Sequence, residues 1–316
     1  MAAVRLVSPS HRPAIHGSIF HRELLTIDAV VEGCSTCELL RCDDTVGPGG
    51  SPDENSESTI DALIMNGSTE VGAVGAMRYV KDGIKAARLV MLHTEHTMLV
   101  GDQASAFAIS MGLSGPSNLS STESMEKWTK WKENRCQPNF RKNIIPTNCC
   151  GPYHRKKGVN LDEKRCLVEE IADDMKLSHV GLHNHDTISM AIFDKSGRIA
   201  VGTSTNGASF KIPGRVGDGP IAGSSSYADD EVRAYGATGD GDIMMLVESM
   251  RLGMEPRVAA KDAISRIARK YPNFVGAIFA VDKNGVHAGA CHGWTFQYSV
   301  RSPTMDDVEV FSVYPV

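Results

Sequence analysis

The stretch HNHDTISMAIFDKSGRIAVGTSTNG, His183–Gly207, sets titratable side chains directly before two alternating apolar runs separated by the turn KSG. Alternation with period two and a short glycine-containing turn predict an antiparallel hairpin, with Thr187 opening its first strand. The same stretch offers three chemistries. His183, His185 and Asp186 could be metal ligands, since residues two apart on a strand share a face. A zinc ion needs about four ligands. No second cluster with matching spacing appears, and His93 and His96 fall at a helix–strand junction without a common face. A nuclease built on His-Asn-His would need basic surroundings that are missing here. The third chemistry belongs to Thr187. If the Asp186–Thr187 bond were cut, its free α-amine, with a pKa of about 7.7–8.0, could take the proton of its own hydroxyl.

Working outward, the 316 residues can bury a large core, and 41% apolar with 22% charged content is ordinary for a globular chain. A formal charge of −5 argues against nucleic-acid binding, which relies on excess Lys and Arg. No apolar run approaches the ~20 residues that cross a bilayer, so no membrane partner is expected. The start, MAAVRLVSPSHRPAIHGS, lacks the apolar core of a signal peptide, which taken alone points to the cytoplasm. Cys34, Cys37 and Cys42 lie close together, as do Cys136, Cys149 and Cys150. Short cysteine loops read as disulfides in secreted proteins and as thiols or metal ligands in the cytosol. Asn66 and Asn118 open Asn-x-Ser sequons, which fit a secretory route. Composition leaves the compartment open.

Residues 1–18 read as irregular. Apolar spacing predicts helices from Ile19 to Cys34, closed by Gly33, and from Arg78 to His93. DQASAFAISMG reads as a helix with Asp102 as N-cap, and GDIMMLVESMRLG and PRVAAKDAISRIARKY as two more. TIDALIMN, HTMLVG, FVGAIFAVD, GVHAGACHG and TFQYSVRS read as strands. Residues 114–182 are polar with little periodicity, and Gly151–Ser178 looks like a connector. Strands and helices in this order imply an α+β protein with antiparallel strand pairs.

Companions downstream bear on the threonine. GRVGD places Arg215 and Asp218 in a tight turn, suited to an amino acid's carboxylate and ammonium. TGDGD sets the Thr238 hydroxyl and the Gly239 N–H in what reads as an exposed turn, as an oxyanion site requires. GTSTNG puts Thr205 at the end of the strand neighbouring that of Thr187.

These motifs, with IDAVVEGCSTCELLRCD, GGSPDE, DALIMNG, VGAVGAMR, HTMLVGDQASAFA and NCCGPY upstream, resemble the glycosylasparaginases of the N-terminal-nucleophile (Ntn) hydrolase superfamily over most of residues 27–301. The resemblance implies a single Ntn-hydrolase domain over 1–316, a four-layer αββα sandwich that cleaves itself into segments 1–186 and 187–316. It implies Thr187 as nucleophile, Thr205 as its hydroxyl neighbour, and Thr238 and Gly239 as oxyanion donors. Arg215 and Asp218 would hold substrate, while Asp186, Thr187 and Ser51 would serve processing. Cys37–Cys42 and Cys136–Cys150 would be disulfides. No metal and no cofactor are implied. The substrate would be a small glycosyl-asparagine, the assembly a homodimer of processed units, and the location lysosomal, with an incomplete N-terminus as another reading of the missing leader. HDTISMAIF and TGDGD favour this branch over plant-type asparaginases and β-aspartyl peptidases. The family's first strand carries an Asn-Thr-Trp stretch absent here, and its usual serine is replaced by Gly219. An inactive, unprocessed relative lacking that strand is therefore the competing expectation.

Overall fold

The computed structural model describes residues 2–6, 26–156, 187–194, 197–231, 233–240, 254–302 and 305–316. Among these the chain is α+β. An eight-stranded sheet runs in the order β14-β13-β1-β7-β8-β2-β3-β4, and a four-stranded sheet in the order β12-β11-β10-β9. In the larger sheet these are β1 (Ala2–Leu6), β2 (Ile60–Asn66), β3 (Val71–Met77), β4 (Met98–Val100), β7 (Ile188–Phe193), β8 (Ile199–Thr205), β13 (Phe296–Arg301) and β14 (Glu309–Val313). The smaller sheet holds β9 (Ser226–Asp229), β10 (Arg233–Gly239), β11 (Gly276–Asp282) and β12 (His287–His292). The short strands β5 (Ile144–Ile145) and β6 (His154–Arg155) pair apart from both.

Side-chain alternation explains the stacking. On β2, Ala62 and Ile64 face one apolar cluster, shared with helices α1 (Thr26–Leu40) and α2 (Gly83–His93), while Leu63 and Met65 face another. β8 divides likewise, with Ala200 on the helix side and Ile199 and Val201 on the other. The second cluster is closed by Ala277, Phe279 and Val281 of β11, so it lies between the sheets. The opposite face of β11, Ile278 and Ala280, packs on Ala260, Ala263, Ile264 and Ile267 of α5 (Pro256–Lys270). Each fully buried Leu, Ile or Phe contributes about 1.5–3 kcal/mol, so both sheets are held on two faces.

The hairpin of β7 and β8 forms in the register Ile188↔Ser204 to Phe193↔Ile199. Several expectations need correction. Residues 1–18 were expected to be irregular, but Ala2–Leu6 form β1, antiparallel to β7 on one side and β13 on the other. The slot beside β7 is therefore filled. Backbone pairing needs no particular side chain, which is why a short AAVRL segment supplies it unannounced. Helix α1 does not stop at Gly33 but continues to Leu40. Gly33 is a packing residue: a Cβ there would lie 2.5 Å from Met190 Cε. Helix α2 starts at Gly83 rather than Arg78, after Tyr79 adopts φ 63°. Helix α3 (Gly101–Ser110) has Val100 as N-cap, and Asp102 sits in its first turn, paired with Arg78. The polar 114–182 region contains α4 (Thr122–Glu133), started by a reciprocal Ser121–Ser124 capping box. Residues 157–186, which carry most of the expected connector, His183, His185 and Asp186, lie outside the described residues, as does the expected helix at 241–253.

Cys37–Cys42 and Cys136–Cys150 are disulfide-bonded, and Cys34 and Cys291 are buried thiols. Cys37 therefore closes the end of α1 through its bond to Cys42. Among the described residues no helix is long and apolar enough to cross a membrane.

Candidate active site

The site lies where the inner faces of both sheets turn polar. Thr187 precedes β7 by one residue and is half-buried, and its backbone nitrogen donates to Thr238 Oγ1 at 3.1 Å. Thr238 was expected in an exposed turn. It is instead buried at the end of β10, where a strand edge fixes it more firmly than a turn would. Glycine makes this contact between sheets attainable. A Cβ on Gly236 would lie 2.7 Å from Ser189 Cβ and 2.3 Å from Phe279 Cε1, so only glycine lets β10 run so close to β7. Ser189 Oγ donates to Ala237 O at 3.3 Å across the same gap. Gly239, beside Thr238, has φ 130° and pairs with Gly276.

β8 brings the second threonine. The pair Ile188↔Ser204 is the last of the β7–β8 register, which leaves Thr205 beside the Thr187 end of β7. Thr205 is buried, and its Oγ1 accepts from Gly207 N at 2.9 Å. A Cβ on Gly219 would lie 2.8 Å from Thr205 Cγ2, so the loop after GRVGD passes directly over this threonine. Thr203 Oγ1 donates to Gly219 O at 2.6 Å and fastens that loop. Asp218 is buried and Arg215 half-buried within it.

Ser51 is fully buried. Its hydroxyl accepts from Ser209 Oγ at 3.1 Å. Phe210 N donates to Pro52 O at 2.6 Å, and Glu54 N to Lys211 O at 3.0 Å, so the 51–57 and 208–213 segments are zipped together. Helix α4 backs them: Trp131 stacks on Phe210 with centroids 5.0 Å apart, and Trp128 Nε1 donates to Glu54 O at 2.9 Å. Arg141 forks onto the Glu54 carboxylate, with Nη2–Oε2 at 2.6 Å.

The structure thus brings together Thr187 with Thr238, Thr205 with the loop that follows Arg215 and Asp218, and Ser51 with Ser209. Asp186 lies outside the described residues. Sequence reasoning missed Asp61, Thr203, Asn206 and Lys211. Asp61 Oδ1 accepts from Ala76 N at 2.7 Å, and Oδ2 accepts from Gly217 N at 3.3 Å. Asn206 Nδ2 donates to Thr59 O at 2.9 Å. Lys211 is fully buried, and burial pulls its ammonium below the usual lysine range. A lysine inside the apolar run SFKIP, and an aspartate inside IDALIM, were the available signals.

Chemically, the arrangement offers a hydroxyl beside a backbone nitrogen, a second hydroxyl on that nitrogen, and a flanking pair of opposite charges. The asparaginase family (Asparaginase_2) matches residues 18–306. An Arabidopsis thaliana protein named "Probable isoaspartyl peptidase/L-asparaginase 3" is 67% identical over 300 residues, covering 92% of this chain and 84% of its own. A Drosophila yakuba protein provisionally named an N(4)-(beta-N-acetylglucosaminyl)-L-asparaginase is 50% identical over 295 residues, covering 89% and 72%. The N(4)-(beta-N-acetylglucosaminyl)-L-asparaginase of Mus musculus is 46% identical over 276 residues, covering 84% and 77%.

Proposed function

The chain belongs to the asparaginase family of Ntn hydrolases and is an amidohydrolase, and on that premise we propose that it cleaves β-aspartyl amides through Thr187. The observation that carries this reading is the Thr187 nitrogen held on Thr238 Oγ1 at 3.1 Å, at the mouth of the inter-sheet core.

Activation begins within the chain. The Thr187 hydroxyl attacks the carbonyl carbon of Asp186, the peptide C–N bond breaks, and the ester that forms is hydrolysed by water. The products are an Asp186 carboxylate and a free Thr187 amine, dividing the chain into 1–186 and 187–316. In turnover that amine takes the proton from its own hydroxyl, whose oxygen attacks the side-chain amide of the substrate. The Thr238 hydroxyl and Gly239 N–H stabilise the oxyanion, and removing one such donor typically costs about 10²–10³ in rate. The ammonium returns its proton to the departing amine, leaving a β-aspartyl ester on Thr187 for water to cleave. Arg215 pairs with the α-carboxylate, Asp218 with the α-ammonium, and Thr205 lies beside the reacting oxygen. Ser51 supports the processing loop. The three stacked apolar clusters support the four-layer αββα reading of the fold.

The substrate we favour is N-acetylglucosaminyl-asparagine, supported by HDTISMAIF and TGDGD and by the names of the mouse and fly relatives. A second reading, asparaginase or β-aspartyl peptidase activity, is supported by the name of the 67% identical Arabidopsis relative. The expectation of an inactive, unprocessed relative rested on an empty slot beside β7, and Ala2–Leu6 occupies that slot. Two disulfides suit an oxidising compartment and support the lysosomal reading. The homodimer of processed units stays with this proposal on family resemblance.

The test is a comparison of kcat/KM on N-acetylglucosaminyl-asparagine, L-asparagine and a β-aspartyl dipeptide, using cleaved protein. Highest efficiency on the glycosylated substrate is the expected result. Preference for either of the others establishes the second reading, and cleaved protein inert on all three refutes both.

A further inference from the structure

Two cations and one carboxylate converge behind the loop that carries Arg215. The position a Cβ would take on Gly207 lies 2.9 Å from Arg215 Nη1, 3.5 Å from Lys211 Nζ and 3.8 Å from Asp61 Oδ2. Lys211 heads the largest fully buried side chains, and its ammonium donates to Asn206 O. Taking an ammonium out of water costs several kcal/mol unless it is paired. Among the charges acting on it, Asp61, Asp53 and Glu57 favour the ammonium and Arg215 opposes it. Asp61 is itself fully buried, with its two oxygens accepting from Ala76 N and Gly217 N. It therefore ties β3 to the 215–219 loop while its charge favours the Lys211 ammonium. Thr203 fastens the other side of that loop at Gly219 O.

We propose that Lys211 and Asp61 are positioning residues that hold the Arg215 guanidinium and the 215–219 loop in place to receive the α-carboxylate of the substrate. The proposal rests on the reading of Arg215 as the α-carboxylate clamp. Lys211 is attracted by Asp61 and repelled by Arg215, so removing its charge should shift the guanidinium and the loop that carries it. Neither residue touches substrate; both act through Arg215 and its loop.

The experiment uses cleaved enzyme and two inhibitors, L-aspartate and β-alanine, which differ by the α-carboxylate alone. Wild-type protein should bind L-aspartate far more tightly. Lys211→Met should weaken L-aspartate about 10-fold or more, the scale for removing one member of a buried charge pair. It should leave β-alanine unchanged and raise KM with little effect on kcat per cleaved molecule. Lys211→Arg should restore L-aspartate affinity. Lys211→Gln keeps a donor for Asn206 O without the charge, and gives the same reading if the methionine variant does not fold. Arg215→Ala is the control. If it abolishes the L-aspartate preference while Lys211→Met and Lys211→Gln keep it, this inference is overturned and the site reading stands. If Arg215→Ala leaves the preference intact, the clamp reading itself fails.

Discussion

Replacing Glu38 with glutamine should flatten the pH dependence of stability. Glu38 sits in α1 with 1% exposure, its Oε1 accepting from Ser204 Oγ at 2.5 Å and Ile84 N at 3.0 Å. It thereby joins α1, the start of α2 and the strand carrying Thr205. Burial pushes its carboxyl up to about 8 from an ordinary 4.5, outweighing those two bonds. A group whose folded pKa is raised contributes stability that is fully present below the unfolded value and lost as pH rises through the folded one. Integrating between these values gives a loss of about 3 kcal/mol from about pH 5 to about pH 7.5, at ~1.4 kcal/mol per unit. Glutamine keeps the acceptor oxygen and cannot ionise, so it should be the more stable form at the upper pH. Urea unfolding of Thr187→Ala and Thr187→Ala/Glu38→Gln, both kept as single uncleaved chains, isolates the difference. Parallel pH profiles for the two would refute the reasoning.

Thr238→Val should cut kcat about 10²–10³-fold with the fold intact, because it takes away one of the two proposed oxyanion donors and leaves the shape; steady-state kinetics on cleaved protein with unchanged circular dichroism would check it. Val4→Pro should lower the cleaved fraction on a denaturing gel and the melting temperature by several degrees, roughly the shift for a lost kcal/mol or two, since Val4 pairs with both Ala191 and Val300. Wild-type processing in that variant would show β1 to be dispensable. Gly219→Ala should raise KM or slow turnover by about 10-fold or less, because the new Cβ would sit 2.8 Å from Thr205 Cγ2 and push the loop outward; a cost of order 1 kcal/mol is expected for such crowding.

The parts of this protein legible in sequence are those set by local pattern. The β7–β8 hairpin follows from alternation and a KSG turn, and α5 from Pro256 at its start with Arg269 and Lys270 at its end. What escaped depends on distant partners. β1 is five residues long and its identity as a strand comes from β7 and β13. β3, VGAVGAM, is too small in side chain to read as a strand, and α4 is too polar to show a stripe, although Trp128 and Trp131 three apart and the Ser121–Ser124 box were signals. The threonines, Arg215 and Asp218 were visible because they sit in short motifs. Asp61, Thr203 and Lys211 were not, since their meaning is a juxtaposition of β2, β8 and a loop.

The central claim, that Thr187 becomes an N-terminal nucleophile, is tested by the chain itself. Purified protein should separate under denaturing, reducing conditions into two bands. The smaller should begin Thr187-Ile188-Ser189, and Thr187→Ala should abolish both cleavage and activity. A persistent full-length band of 34.1 kDa in active wild-type protein, or a fragment starting at any other residue, would contradict it.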